Sequence, residues 1–442
     1  MTSSPRPVSP HRPPSASRLR RAALAVLALL PQAALAQDGA LDVADSGDTG
    51  WLLIAALLVL LAAVPGLGLY HGARVRAGNA VSVMLQAAAV TMAVSLVWII
   101  VGYTVAFGTV TNGWLGSGNA WMLIELGNVR QNTGAPESAF ALYQIALAAL
   151  AAVLMTGAWA GRARFGWVLA FCTLWSLVVY APVAHWIWGG GWLSQGVGTL
   201  DWGGGIVVET TAGVSALVVA IMLGRGKFAT SDAAPPAFGA LAGAGLVWLG
   251  WLGLVGGAAL AANDDAAAAI IAAHAAAAAG ALTGLALDNW RHGKPTAAGF
   301  AGGAIAGLAI ATPASGYVSP GAAILFGIVG AAACRAATRL FQDRLGIDDR
   351  LSVFATFGIG GLLGALLLGV FTSPSLGGVG YDEGMGMIAQ MTAQVVAMLV
   401  VSVWAIIATV ILAVMVSTLF PMRVSEDAER DGLDRASHGL GD

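Results

Sequence analysis

Charge is scarce in this sequence. Asp, Glu, Lys and Arg make up 10% of its 442 residues, where a soluble domain carries about 25%, while hydrophobic residues make up 58%. That excludes an ordinary water-soluble domain and makes the chain a membrane protein. Its net charge is −2, so nothing hints at a grip on nucleic acid. Cysteine is nearly absent. Cys172 and Cys334 lie far apart in apolar runs, which excludes a disulfide framework and a cysteine metal site and leaves both as small apolar fillers. Nucleophile–base pairs, metal-ligand clusters and phosphate-binding loops are also lacking, so the motifs suggest neither an enzyme nor a cofactor.

Long apolar runs are what the chain has in place of charge. A span needs roughly 20 apolar residues. Eleven candidates fit, at about 51–70, 80–107, 138–160, 165–186, 203–224, 236–260, 266–287, 297–312, 320–341, 351–372 and 387–420. The beginning reads differently. Arg18, Arg20 and Arg21 precede "AALAVLALL", too short to span, and "ALA" at 34–36 follows. This is the pattern of a secretory signal peptide, residues 1–36, cut after Ala36. Residues 37–50 are then a polar outer segment, 51–420 the membrane domain and 421–442 a cytoplasmic tail.

The basic residues test the span count. Five of the 21 Lys and Arg precede residue 50, and of the 16 that follow, all but Arg130 fall in alternate connections or the tail. By the positive-inside rule those connections face the cytoplasm. The mature amino end is then outside and the carboxyl end inside, as an odd number of spans requires. The opposite connections are rich in tryptophan: Trp186, Trp188, Trp192 and Trp202 read as an interfacial belt or as the wall of an outer vestibule. The last run is roughly 50 Å long at 1.5 Å per residue, which demands tilt or protrusion. "GFAGGAIAGLAIA" at 299–311 spaces its small residues for close helix contact. The fold class is an all-α polytopic membrane bundle.

One stretch stands out. "DWGGGIVVETTAG" at 201–213 opens on Asp201 and carries a second acid, Glu209, inside an apolar helix. Eight residues place Glu209 roughly 12 Å deeper than Asp201, near mid-bilayer. An intramembrane ionisable side chain is a functional candidate, with a partner to be sought. His274, among the alanines of "IIAAHAAAAAG", is the other such residue and a candidate partner for Glu209. Its blander role is a hydrogen bond to a backbone carbonyl or a Ser/Thr hydroxyl, or a place facing a vestibule.

Several further motifs accompany it: "VPGLGLYHGARVRAGN" (64–79), "GRARF" (161–165), "PVAHWIWGGGWL" (182–193), "LDWGGG" (200–205), "GWLGLVGG" (250–257), "GGAIAGLAIATPASGY" (302–317), "SLGGVGY" (375–381) and "SEDAERDGLDRASHG" (425–439). In this order the chain resembles the ammonium transporter family (Amt/Mep/Rh), in its bacterial Amt branch. The resemblance implies a homotrimer whose protomers each have eleven spans and a pore. Spans one to five and six to ten would form an inverted pseudo-repeat, followed by a long tilted last helix. It also implies that ammonium or ammonia is the substrate, and that the tail is of the kind that binds the PII signal protein.

The resemblance assigns pore positions. The outer-site tryptophan matches Trp188, and the aspartate at the outer end of span five matches Asp201. The family's outer-site phenylalanine falls on Leu147, its outer-site hydroxyl on Ala258 and its gate phenylalanine on Leu254. The twin pore histidines fall on Glu209 and Phe357, and a common aspartate falls on Ser352. The scaffold is kept while the pore centre is rebuilt. Transport of ammonium is the leading expectation. A non-conducting sensor or PII-binding regulator, and a pore for another small neutral solute, are the alternatives.

Overall fold

The computed structural model describes residues 44–118, 121–124, 126–130, 133–227 and 237–440. The expected signal peptide, with its cleavage point after Ala36, lies outside the described residues. Among those residues ten helices are long and apolar enough to cross a membrane. They are α1 (Ser46–Gly72), α2 (Ala77–Phe107), α3 (Glu137–Trp159), α4 (Phe165–Gln195), α5 (Gly205–Leu223), α6 (Ala237–Gly257), α7 (Asp264–His292), α9 (Pro320–Arg344), α10 (Phe354–Phe371) and α11 (Met387–Ser417). An eleventh, α8 (Ala297–Ala311), is apolar but shorter. Every expected run therefore contains a helix, in order. The ends move for local reasons: α1 starts early because the Asp45 carboxylate accepts from the Asp48 N–H, and α7 starts where Asn263 caps Ala266 N.

The helices differ in what surrounds them. The most hydrophobic window of α3 is 94% buried and that of α11 is 33% buried, so α3 is the axis of the bundle and α11 lies against its outside. Leu399, Val403, Ile407, Val410 and Val414 of α11 are exposed, the outward stripe of a helix meant for lipid. Its 31 residues make about 46 Å, longer than a ~30 Å hydrocarbon core. Between α7 and α8 the small residues permit backbone contact: a methyl on Gly284 would sit 2.0 Å from Gly299 O, and one on Gly303 would sit 2.2 Å from Gly280 O. Dispersion between close backbones replaces the hydrophobic drive that lipid removes.

Two helices begin in matched ways from opposite ends. Asp201 accepts from Gly204 N (3.2 Å), Ile206 N (2.9 Å) and Val207 N (2.9 Å) at the start of α5. Asp349 accepts from Val353 N (2.9 Å) and Phe354 N (2.7 Å) at the start of α10. Each first turn is π-helical, Gly205–Thr210 and Phe354–Gly358. The helices touch where they cross, since a methyl on Gly213 would lie 2.4 Å from Gly358 Cα. This is the inverted repeat made visible: one half enters from the tryptophan-rich end and the other from the arginine-rich end.

The tail folds across the basic end as two short helices, α12 (Glu426–Asp431) and α13 (Leu433–His438). Asp434 accepts from Val81 N and Ser82 N, Leu433 N donates to Asn79 Oδ1 at 2.8 Å, and Glu429 pairs with Arg423 at 2.8 Å. Arg162, from the "GRARF" turn, is fully buried beneath it, paired with Asp348 at 3.3 Å and donating to Gly224 O. The motif thus ties together the loops that follow α3, α5 and α9.

Candidate functional site: a vestibule above a buried carboxyl

At the tryptophan-rich end the chain encloses a cavity of about 280 Å³. Four of the positions assigned through the resemblance share its lining: Trp188, Asp201, Leu147 and Ala258. Trp188 is positioned by its own indole, which donates to Asp201 O at 2.8 Å. Its ring also lies over Gly204, where φ is +96° and a methyl would come within 3.0 Å of the indole, so only glycine serves at that turn. The Asp201 carboxylate is spent on the backbone of α5. Burial pushes its pKa up to about 6, against the pull of those N–H bonds. The other tryptophans are mostly structural: Trp186 donates to Trp114 O at 2.9 Å and Trp202 to Val255 O at 2.7 Å. Trp202 also lines the cavity.

The cavity holds a residue that sequence reasoning left aside. Arg130, the lone basic residue of its end, reaches into the lining. Its guanidinium lies 3.6 Å from the centroid of Phe140 and pairs with Glu137 at 3.2 Å. Tyr103 donates to the same carboxylate. A resident cation therefore occupies an aromatic face of the vestibule. The signal in the sequence was that Arg130 alone broke the charge alternation. Gln144 also lines the cavity, and its Oε1 makes no hydrogen bond with any described residue.

Beside Gly203, at the cavity wall, the packing becomes apolar. Leu254 is fully buried, its side chain against Gly203 and its carbonyl accepting from Tyr143 OH. Glu209 follows, fully buried, with Oε1 at 3.2 Å from Thr312 Oγ1. That hydroxyl also donates to Leu308 O at 2.8 Å and accepts from Trp251 Nε1 at 2.9 Å. One hydroxyl proton thus faces two acceptors, so Glu209 has at most a shared donor on Oε1. Its Oε2 makes no hydrogen bond with any described residue. The Trp251 ring stacks on Phe357, centroids 5.8 Å apart and planes 22° apart. Trp251 and Thr312 are therefore the link between Glu209 and Phe357. Both lie inside quoted motifs, where a polar atom within an apolar span was the available clue.

His274 does not join this group. It is exposed on the outer face of α7, its ring 5.3 Å from that of Trp248, while the hydrogen-bonding partner of Glu209 is Thr312. The Glu209–His274 pairing is corrected accordingly. α7 is apolar all round and carries no stripe from which its buried face could be read. Ser352, at the family's aspartate position, accepts from Gln342 Nε2 at 3.1 Å, and the cap of α10 is Asp349, three residues earlier. The eight-residue step from Asp349 to Phe357 repeats that from Asp201 to Glu209.

Residues 50–442 match the family model described as Ammonium Transporter Family. The chain belongs to the ammonium transporter family. It is 38% identical over 398 residues to an ammonium transporter of Bacillus subtilis, covering 89% of this chain and 97% of that one. It is 35% identical over 418 residues to an ammonium transporter of Aquifex aeolicus, covering 94% and 96%. The crystal structure of Candida albicans Mep2 is similar with a TM-score of 0.79 at 32% identity, covering 87% of this chain and 88% of that one. A structure described as a sensor Amt protein matches with a TM-score of 0.81 at 26% identity, covering 88% and 98%. The family assignment places this chain among multi-pass membrane transporters, as its spans require.

Proposed function

We propose that this protein carries ammonium nitrogen across the bacterial inner membrane, entering at the Trp188–Asp201 vestibule and passing Glu209. The reading is supported above all by Glu209 itself. A fully buried carboxyl with one oxygen lacking a donor among the described residues is costly to maintain, by about 1–3 kcal/mol. Ammonium and ammonia are N–H donors small enough to satisfy it in passing. Leu254 above excludes water and bulk ions. Trp188, Asp201, Leu147 and Ala258 form the entrance, Leu254 the gate, and Glu209 the central acceptor next to the Thr312–Trp251–Phe357 stack. With the basic end in the cytoplasm, the tail docked across it offers a face to a regulatory partner such as a PII protein, and the protomer assembles as a trimer.

Growth of a transporter-deficient host on low ammonium tests the reading. The wild-type chain should rescue growth and Glu209→Ala should not. Rescue only by the double change Glu209→His with Phe357→His would reject native ammonium transport.

A further inference from the structure

The basic end holds a second cavity, of about 270 Å³, bounded by α1, α7, α8, α9 and the start of α10. Four arginines line it: Arg74, Arg291, Arg335 and Arg339. No carboxylate is among its lining residues. The nearest acid that binds one of them is Asp288, which pairs with Arg335 and accepts from Thr296. Arg74 lies over the Tyr70 ring at 4.7 Å. Arg291 and Arg339 form no ion pair or hydrogen bond with any described residue, although Asp343 on α9 and Asp288 on α7 both add some attraction for Arg339. Arg291 and Arg335 both bear on Arg339 as like charges.

Exposed arginines screen their repulsion through solvent. Arg291 is exposed and Arg74, Arg335 and Arg339 are half-buried, yet all four border one concavity. The convergence is built by the fold: the α7–α8 glycine seam and the shortness of α8 bring the end of α7, with Arg291, up to α9. Gly302 opens on free space, since a methyl there would meet nothing within 4 Å. Ser352 and Thr356 add hydroxyl groups to the same wall, while the Thr338 hydroxyl donates to Cys334 O at 3.0 Å.

We infer that this cavity binds a phosphate-class anion, drawn either from solution or from a phospholipid headgroup. Guanidinium forks match phosphate oxygens two at a time, and hydroxyls complete such a shell. Sulfate-sized ligands fit the volume. Ser352 and Thr356 belong to the lining and lie within five residues of Phe357. A bound anion would thus sit at the threshold of the transport path. The site rests on the reading above only in assigning this end to the cytoplasm. Binding itself can be measured without transport.

The test uses the full chain purified in detergent, with radiolabelled inorganic phosphate at constant chloride and ionic strength. A parallel arm reads retention of phosphatidylglycerol against phosphatidylcholine by native mass spectrometry. The wild type should bind phosphate saturably. Arg291→Gln with Arg339→Gln should weaken binding at least about tenfold, at an unchanged melting temperature without ligand. Gly302→Asp, which places a carboxylate in the open space, should do the same. Selective retention of phosphatidylglycerol, lost in both variants and indifferent to phosphate, supports the site with the headgroup as its source. Binding of neither, or binding that both variants leave intact, overturns it. Uptake by the same variants in proteoliposomes is scored separately, so the site can fail while transport stands.

Discussion

Helices α5 and α10 are built alike and loaded differently. Each is entered through a buried aspartate that collects backbone N–H groups, each starts with a π-helical turn, and each carries its central side chain eight residues on. In α5 that residue is Glu209, with an oxygen open to a donor. In α10 it is Phe357, stacked on Trp251. The scaffold of the repeat tolerates opposite chemistry because the caps and the glycine crossing hold the helices, and the central side chains do not. On the proposed reading the asymmetry says where function resides: polar handling of the substrate is concentrated on one repeat, and the other supplies an aromatic wall.

Exchange of the central residues would break this comparison most severely. Glu209→Ala should lower ammonium uptake in proteoliposomes by about a hundredfold, the size of losing one strong buried hydrogen bond on the path. Phe357→Leu should stay within a few-fold. Equal losses at both positions would mean that the repeats share the work.

The caps come next. Asp201→Ala and Asp349→Ala should each destabilise the fold by about 2 kcal/mol, because two or three N–H groups lose their acceptor. Thermal unfolding in detergent reads this, and a strong effect at one site alone would show that the caps are not equivalent.

A pH dependence sharpens the same point. Burial pushes both aspartates up to about 6, above the ordinary 3.8, so the folded chain holds protons that the unfolded chain has released. Stability should therefore fall as pH rises from about 4 to 6 and level off above that. The melting temperature should drop by on the order of a few degrees, and Asp201→Asn with Asp349→Asn should flatten the curve. A melting temperature that rises over this interval contradicts the assignment.

The smallest expected effect lies at the vestibule. Arg130→Gln frees the Phe140 face and removes a resident positive charge, so the half-saturation concentration for ammonium should fall about two- to fivefold. An increase would make Arg130 part of the substrate's own binding site.

Much of this was legible in the chain. The spans could be read because lipid demands about 20 apolar residues for each. Trp188, Asp201, Leu147 and Ala258 were assigned through a motif resemblance, and the fold brings all four to one cavity. The Thr312–Trp251 link could not be read, since it joins residues 61 positions apart on different helices. His274 was misjudged as a partner for Glu209 because a helix apolar on every side does not announce which face meets lipid. Arg130 was visible as the exception to a charge pattern, but nothing local aimed it at Phe140.

The sequence by itself determined the solvent of this protein, the number and order of its helices, the family, and the presence of a carboxyl inside an apolar span. Composition and run length settle such matters because the bilayer imposes one thickness and one polarity on every segment. Only the tertiary structure decided what that carboxyl touches, which aromatic face the vestibule arginine covers, and that four arginines close on one cavity. Those outcomes depend on how the helices rotate about their axes, which glycine-to-backbone contacts fix and uniformly apolar helices leave unwritten.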